Sequence, residues 1–161
     1  MKIEIIHTND IPDYAAAFAC MSPMRQEQCN RLASKQARLL CVAADMAARR
    51  VVGDWGKDHN GKPICDVGYL SLAHSGKYAV AVWDEVPIGV DMERIRPLSP
   101  ALAKRLGADP LQVWVKKEAY GKALGVGVYR VLDDPIPEGW EFLFPEAPDG
   151  YVMAICRKQE P

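Results

Sequence analysis

Strand periodicity is clearest in the stretch Ile88-Gly89-Val90-Asp91-Met92-Glu93, where apolar residues alternate with glycine or acidic residues. Because successive side chains of a strand point to opposite faces, one face is apolar and the other carries Asp91 and Glu93. Their Cα atoms should lie about 7 Å apart. Two like charges at this spacing repel each other unless a cation lies between them, and oxygen ligands suit magnesium. The stretch therefore predicts a divalent metal site.

A third acidic residue, Glu118, lies in a segment with a helical pattern further along the chain. Trp114, Glu118 and Lys122 are each four residues apart, so a helix places them on one stripe. This arrangement predicts that Trp114 packs on the core while the two charged residues face a common site. A glutamate and a lysine at this spacing are also common as a surface pair, and the spacing alone leaves both interpretations open.

The two acids on the strand also allow a second, purely structural interpretation. Asp91 and Glu93 could form ion pairs with Arg94 and Arg96 on an exposed strand edge. His74, at the end of an earlier predicted strand, could equally be a structural histidine. A nucleophile-base pair of His74 and Ser75 is rejected, because neighbouring residues of a strand face opposite sides.

Composition is that of an ordinary soluble globular chain, with 161 residues, 49% hydrophobic and 25% charged. The start of the chain has the pattern of a strand, and no apolar stretch approaches the roughly 20 residues that span a bilayer. We expect a cytoplasmic protein, not bound to membranes, whose cysteines are reduced. These are odd in number and widely spaced: Cys20, Cys29, Cys41, Cys65 and Cys156.

Charge is unevenly distributed along the chain, although the net charge is only -1. Basic residues outnumber acidic ones between Ser22 and Arg50, whereas all the charges from Asp133 to Asp149 are acidic. The near-neutral total argues against general nucleic-acid binding. The two regions are either solvated faces or, for the basic one, a surface for an anionic partner.

Breaks in the hydrophobic pattern divide the chain into alternating helices and strands. Ser22-Pro23, Ser99-Pro100 and Asp109-Pro110 are helix-start signals, and the glycines between 53 and 61 indicate a loop. The first predicted helix begins near residue 13. A predicted helical region then runs from 22–23 to 51, and two further helices are predicted at 99–106 and 109–124. The predicted strands are 1–6, 68–74, 78–83, 88–93, 128–132, 140–144 and 151–156.

Several motifs in a fixed order carry a family resemblance. Gly61-Lys62-Pro63 and Ala73-His74-Ser75-Gly76 precede the acid-x-acid pair, and Trp114-Val115-Lys116-Lys117-Glu118 follows it. From about Pro23 to Val128 this order resembles the 4'-phosphopantetheinyl transferases of the larger, Sfp-like type, of which the chain would be a short member. The resemblance implies an α+β fold of two similar halves, each a helix packed on antiparallel strands, related by a pseudo-twofold with the active site at their interface. It predicts a single unit over 1–161, with halves of about 1–93 and 94–161.

The same resemblance implies a function, transfer of 4'-phosphopantetheine from coenzyme A to a serine of an apo acyl- or peptidyl-carrier protein, with release of adenosine 3',5'-bisphosphate. The expected enzyme is a magnesium-dependent monomer of the holo-[acyl-carrier-protein] synthase type. Its implied metal ligands are Asp91, Glu93 and Glu118, and its implied catalytic residues are Glu118, Lys122 and Asp91. The implied coenzyme A contacts are Arg25, Arg38, Lys62, His74, Lys117 and Lys122.

The chain departs from the family pattern at three places. Ala73 stands where a hydroxyl residue commonly precedes the histidine, which would remove a phosphate contact. The connection over 94–113 and the part after Val128 are both short. These departures motivate a second hypothesis, a non-catalytic module that binds coenzyme A or a carrier protein. A third hypothesis is a magnesium-dependent pyrophosphate hydrolase built on the same three acids.

Overall fold

The structure, a computed structural model, describes residues 1–160 and consists of antiparallel strands and helices. The α-helices within that range are α1 (Tyr14–Ala19), α2 (Pro23–Asn30), α3 (Lys35–Val52), α4 (Pro100–Leu106) and α5 (Pro110–Leu124). The strands in the same range are β1 (Lys2–His7), β2 (Gly56–Lys57), β3 (Pro63–Ile64), β4 (Tyr69–Ser75), β5 (Tyr78–Asp84), β6 (Ile88–Arg94), β7 (Trp140–Leu143) and β8 (Tyr151–Lys158). This mixture confirms the predicted α+β class.

Helix starts follow the capping signals of the sequence. At each α-helix the residue before the first turn accepts a hydrogen bond from a backbone N–H inside that turn, which satisfies a group that has no partner in the helix. These caps are Asp13, Ser22, Ser34, Ser99 and Asp109. At its other end α5 stops at Gly125, whose φ of 75° is favourable only for glycine.

Two three-stranded antiparallel sheets form the centre of the molecule, with strand orders β1-β5-β4 and β6-β8-β7. Alternation along β5 places Ala79 and Ala81 against α3, and Val80 and Val82 against the second sheet. A third apolar cluster lies between the second sheet and α5. The layers are therefore α3, first sheet, second sheet and α5.

Helix α5 approaches β6 at the one position of that strand that has no side chain. A Cβ atom at Gly89 would lie 2.0 Å from the carbonyl oxygen of Ala119 and 2.5 Å from the amide nitrogen of Ala123. Neither backbone atom can move without moving the helix. Gly89 therefore sets how closely the acidic face of β6 approaches α5.

Side chains join the two sheets where β4 runs beside β6. The hydroxyl of Ser71 accepts a hydrogen bond from the amide of Val90 at 3.1 Å, and the hydroxyl of Ser75 accepts one from Arg94 at 3.1 Å. The strand ladders themselves place β4 and β6 in different sheets. The division between the sheets falls between β5 and β6, because β6 pairs with β8.

Two predicted connections differ from the structure. The strand expected at 128–132 is instead a 3-10 helix, Val128–Arg130, because turn hydrogen bonds from Arg130 to Gly127 and from Val131 to Val128 occupy the backbone locally. The loop predicted from the glycines at 53–61 contains β2, which forms a short hairpin with β3 just after the loop. The similarity of the two halves and their pseudo-twofold relation stay predictions.

None of the helices within residues 1–160 is both long enough and apolar enough to cross a membrane.

Candidate functional site

A cavity of about 650 Å³ opens between α2, α3, the β2–β3 hairpin, β4 and the C-terminal end of α5. Its wall is apolar on the α3 side, where Leu40 and Ala44 face Leu70 and Leu72. Among the described residues that line it there is no carboxylate. The basic residues that line it are Arg25, Lys57, Lys62, His74 and Lys122. A concave surface with charge of one sign concentrates ligands of the opposite sign, so the cavity suits an anion.

Arg25 is the most deeply placed of these basic residues, with 6% of its surface exposed. Its guanidinium donates to Gln28 Oε1 at 2.7 Å, lies 3.8 Å from Asp45 and stacks on Trp55 with 4.8 Å to the ring centroid. Burial raises the pKa of Asp45, and the neighbouring Arg25 charge opposes that rise. These contacts hold a planar cation at a fixed place in the cavity wall.

The β2–β3 hairpin supplies two lysines. Asp58 Oδ1 accepts hydrogen bonds from the amides of Asn60 at 2.8 Å and Lys62 at 2.9 Å, which shapes the tight turn. The ammonium of Lys62 donates to the carbonyl of Ala123 at 3.2 Å and so spans from the hairpin to the end of α5. Lys57, on the opposite strand, has its pKa lowered first by burial and then by the charge of Arg25.

His74 lies near the end of β4 and keeps an exposed side on the cavity. Partial burial lowers the pKa of its imidazole, and the positive charge of Lys122 lowers it further. The imidazole is therefore neutral at pH 7 and becomes a cation most readily when an anion is bound beside it.

Asp91 lies on the α5 face of β6, as the alternation of the strand predicted, and its side chain is buried. Its Oδ1 atom accepts a hydrogen bond from the ammonium of Lys122 at 2.8 Å. Its Oδ2 atom is buried without a hydrogen-bond partner. The carboxylate is paired with a lysine that also lines the cavity, and it keeps one oxygen unsatisfied.

The other two acids adjoin Asp91. Glu93 Oε2 accepts a hydrogen bond from the hydroxyl of Ser75 at 3.2 Å. Partial burial raises the pKa of Glu118, the negative charges of Asp91 and Glu93 raise it further, and Lys122 opposes them. The three carboxylates are thus close enough to repel one another, and none of the polar bonds made by Asp91 and Glu93 is to Arg94 or Arg96.

The three carboxylates are suitable ligands for a divalent cation, although their oxygens do not already surround one position. Within residues 1–160 no three acidic, histidine or cysteine side chains already stand together at metal-binding distances. The unsatisfied Asp91 Oδ2 and the raised pKa of Glu118 are nevertheless the signs of a carboxylate cluster whose negative charge the ammonium of Lys122 does not balance. Hard oxygen donors completed by water suit Mg²⁺, which Asp91, Glu93 and Glu118 would hold.

Several curated proteins are similar in sequence to this chain over most of their own length. The 4'-phosphopantetheinyl transferase Sfp of Bacillus subtilis strain 168 is 27% identical over 84% of this chain and 81% of its own. A second 4'-phosphopantetheinyl transferase of Bacillus subtilis is 26% identical over 86% and 83%. These matches confirm the predicted resemblance to the Sfp-like 4'-phosphopantetheinyl transferases. A shorter match, 33% identical over 43% of this chain, is to the 4'-phosphopantetheinyl transferase psf-1 of Bacillus pumilus. No family model matches the chain.

Two of the residues that the family resemblance assigned to coenzyme A do not reach the cavity. Lys117 is buried on the far side of α5, where its ammonium donates to the carbonyls of Val131, at 2.8 Å, and of Asp134. Arg38 is not among the lining residues, and its charge lies near Tyr14. The structure therefore does not bring Lys117 and Arg38 to the cavity.

Ala73, which was expected to remove a phosphate contact, does not face the cavity. Ala73 packs in the apolar core between the two sheets, on the face of β4 opposite to His74. It shares that face with Ser71 and Ser75, whose hydroxyls bond to the backbone of β6. A hydroxyl at this position would face β6 rather than a phosphate in the cavity, so Ala73 costs no contact there.

Lys57 is a cavity residue that the sequence analysis did not single out. The signal that could have found it was its position: Lys57 and Lys62 flank a turn rich in aspartate, asparagine and glycine, as in a hairpin. Both lysines line the cavity.

The structural role of Lys117 gives a testable prediction. Lys117→Met should lower the free energy of unfolding by about 1–3 kcal/mol, because two carbonyls lose a buried donor, while ligand binding in the cavity stays unchanged. Urea denaturation measures the first effect and calorimetric titration the second. Lys104→Met, which changes an exposed lysine of α4, is the control and should be neutral. Loss of ligand binding with unchanged stability would restore Lys117 to the coenzyme A contacts.

Proposed function

We propose that this protein transfers the 4'-phosphopantetheine group from coenzyme A to a serine of an apo acyl- or peptidyl-carrier protein, and that Mg²⁺ is its metal. The observation that carries the proposal is the junction of two sites: a basic cavity adjoins a cluster of three carboxylates, and Lys122 belongs to both. Phosphoryl transfer needs this combination, since a ligand must be held by its phosphates beside a group that stabilises new charge.

The basic residues of the cavity stand at separate places, which would suit the separate phosphates of coenzyme A. Arg25, fixed by Gln28 and Trp55, presents a planar cation on the α2 side, and Lys57 and Lys62 stand at the hairpin. His74 and Lys122 lie on the side toward the carboxylates. The apolar wall of α3 between these groups suits an uncharged portion of the ligand.

The carboxylate cluster would serve the transfer step. The serine oxygen forms a bond to the phosphorus that bears pantetheine, and the bond from that phosphorus to the departing adenosine 3',5'-bisphosphate breaks. The proton of the serine hydroxyl would pass to Glu118, directly or through a bound water. A bound Mg²⁺ supplies positive charge for the phosphate oxygens. Lys122 supplies a second positive charge from the cavity wall.

Intact mass measurement tests the function directly. The purified protein is incubated with coenzyme A, Mg²⁺ and a set of apo carrier proteins, and each carrier is weighed. We expect at least one carrier to gain the mass of one phosphopantetheine, and the same carrier with its acceptor serine changed to alanine to gain nothing. Mass gain on no carrier would overturn the proposal, and cleavage of coenzyme A without a carrier would favour the hydrolase.

One observation favours a second candidate, a module that binds coenzyme A without transferring it. The carboxylates are not gathered around a metal position, and Asp91 is bonded to Lys122 instead. Such a module would bind coenzyme A in the cavity with the same affinity whether or not Mg²⁺ is present. A transferase would show a dependence on Mg²⁺ in both binding and product formation.

Proton uptake on binding tests the role of His74. Its pKa is lowered in the free protein, and a phosphate bound beside it would raise that pKa. Between the two values binding takes up a proton, so affinity falls as the pH rises through that window, which begins below the ordinary imidazole value of about 6.5. Calorimetry in buffers of different ionisation enthalpy should show more proton uptake for the wild type than for His74→Gln. Equal uptake in both proteins would remove His74 from the phosphate contacts.

The basic part of the chain between Ser22 and Arg50 is a proposed docking region for the carrier protein. Arg31 and Lys35 are exposed at the end of α2 and the start of α3, close to the cavity lined by Gln28 and Leu32. Complementary charge would speed the encounter with an acidic partner and make it dependent on salt.

A further inference from the structure

Lys122 stands at the boundary between the cavity and the carboxylate cluster. Its ammonium is 2.8 Å from Asp91 Oδ1, and the side chain is 31% exposed where that of Asp91 is 8% exposed. The same side chain is part of the cavity wall. One cation therefore has two possible anionic partners, a buried carboxylate behind it and a ligand in front of it.

This contact satisfies only one of the two carboxylate oxygens of Asp91. Its Oδ2 atom is buried without a partner, and Glu118 and Glu93 add negative charge nearby. A single ammonium cannot neutralise three carboxylates. A divalent cation bound to Asp91 would balance more of this charge, but it would stand close to the ammonium and repel it.

The position of Lys122 allows its ammonium to move away from Asp91. It lies in the last turn of α5, two residues before the helix ends at Leu124, and its long stem is flexible. The cavity on its exposed side contains no described carboxylate that could take the place of Asp91. Once released, the ammonium remains without a partner until an anion enters.

We propose that Lys122 occupies the cation position of Asp91 in the metal-free protein and is displaced into the cavity when a divalent cation binds. Metal binding then supplies the cavity with a free positive charge, so the metal and a phosphate-bearing ligand each increase the affinity of the protein for the other. That such coupling is reciprocal follows from linkage. The identity of the ligand as coenzyme A rests on the proposed function, whereas displacement of Lys122 by the metal does not.

Metal titration of three proteins tests the displacement without any measurement of transfer. Binding of Mn²⁺ alone is followed by electron paramagnetic resonance in the wild type, Lys122→Met and Lys62→Met. Lys122→Met should bind Mn²⁺ about 10-fold more tightly, because the metal no longer competes with a partly buried ion pair. Lys62→Met removes the same charge from the cavity mouth but no bond to Asp91, so its affinity should stay within about 2-fold of the wild type.

Calorimetric titration with coenzyme A, with and without Mg²⁺, tests the coupling. The increase in affinity that Mg²⁺ produces in the wild type should be about 5-fold smaller in Lys122→Met. Mn²⁺ affinity in Lys122→Met that equals or falls below that of the wild type overturns the proposal. An equal gain in Lys62→Met also overturns it, since the effect would then be one of general charge.

The failures of the two proposals are distinguishable. Absence of Mn²⁺ binding in all three proteins overturns both the displacement and the metal site of the proposed transferase. Tighter Mn²⁺ binding in Lys122→Met, together with no transfer by the wild type to any carrier, supports the displacement and overturns only the transferase.

Discussion

Replacing Glu118 with glutamine is expected to slow phosphopantetheine transfer by about 10²–10⁴-fold, the usual range for losing a positioned acid or base. Glutamine keeps the size of the side chain but can neither accept the serine proton nor contribute charge to a metal site. The pKa of Glu118 is raised by burial and by Asp91 and Glu93, so the charged form is held there at a cost in stability. Removing that charge should leave the melting temperature unchanged or slightly higher.

Initial rates of carrier modification and thermal melts measure the two effects together. Glu138→Gln, an exposed residue outside the site, is the matched control and should behave as the wild type. An inactive and equally stable Glu118 variant would identify a residue retained for function at the expense of stability. Full activity in Glu118→Gln would show that neither the base nor this metal ligand is needed.

Replacing Gly89 with alanine should lower the free energy of unfolding by at least about 3 kcal/mol, at the upper end for a single added methyl group. The new Cβ would meet the backbone of Ala119 and Ala123 at 2.0 Å and 2.5 Å, so α5 must move away from β6. That movement also separates Glu118 and Lys122 from Asp91. Transfer should therefore fall together with stability.

Urea denaturation of Gly89→Ala and Gly127→Ala separates this clash from the general cost of replacing a glycine. Gly127 has a φ of -68°, and a Cβ atom added there would meet nothing within 4 Å, so alanine should be neutral or slightly stabilising. A Gly89→Ala protein as stable as the wild type would contradict the close approach of α5 to β6.

Local patterns predicted the elements around the site because local chemistry determines them. Alternation in β6 placed Asp91 on the acidic face, and the capping residues Ser99 and Asp109 marked the starts of α4 and α5. The four-residue spacing of Glu118 and Lys122 put both near Asp91, but it could not show that Lys122 bonds to Asp91 itself. That choice depends on how α5 is set against a strand far away in sequence.

Errors arose where the environment of a side chain comes from distant parts of the chain. The face of α5 that carries Lys117 is covered by the segment around Val131 and Asp134, which bends into turns instead of forming the predicted strand. The order of the family motifs along the chain could not reveal this packing over Lys117. For Ala73, in contrast, the information was present, since a residue next to His74 in a strand must face the other way.

The hydroxyl contacts of Ser71 and Ser75 bear on how the molecule can change over evolution. Because side chains rather than a shared backbone ladder join β4 to β6, single substitutions can add or remove a link between the sheets. Ser75 also bonds to Glu93, so one of these links reaches the acidic cluster directly. Selection can therefore adjust the alignment of the cavity with the carboxylates by point mutation, without rebuilding either sheet.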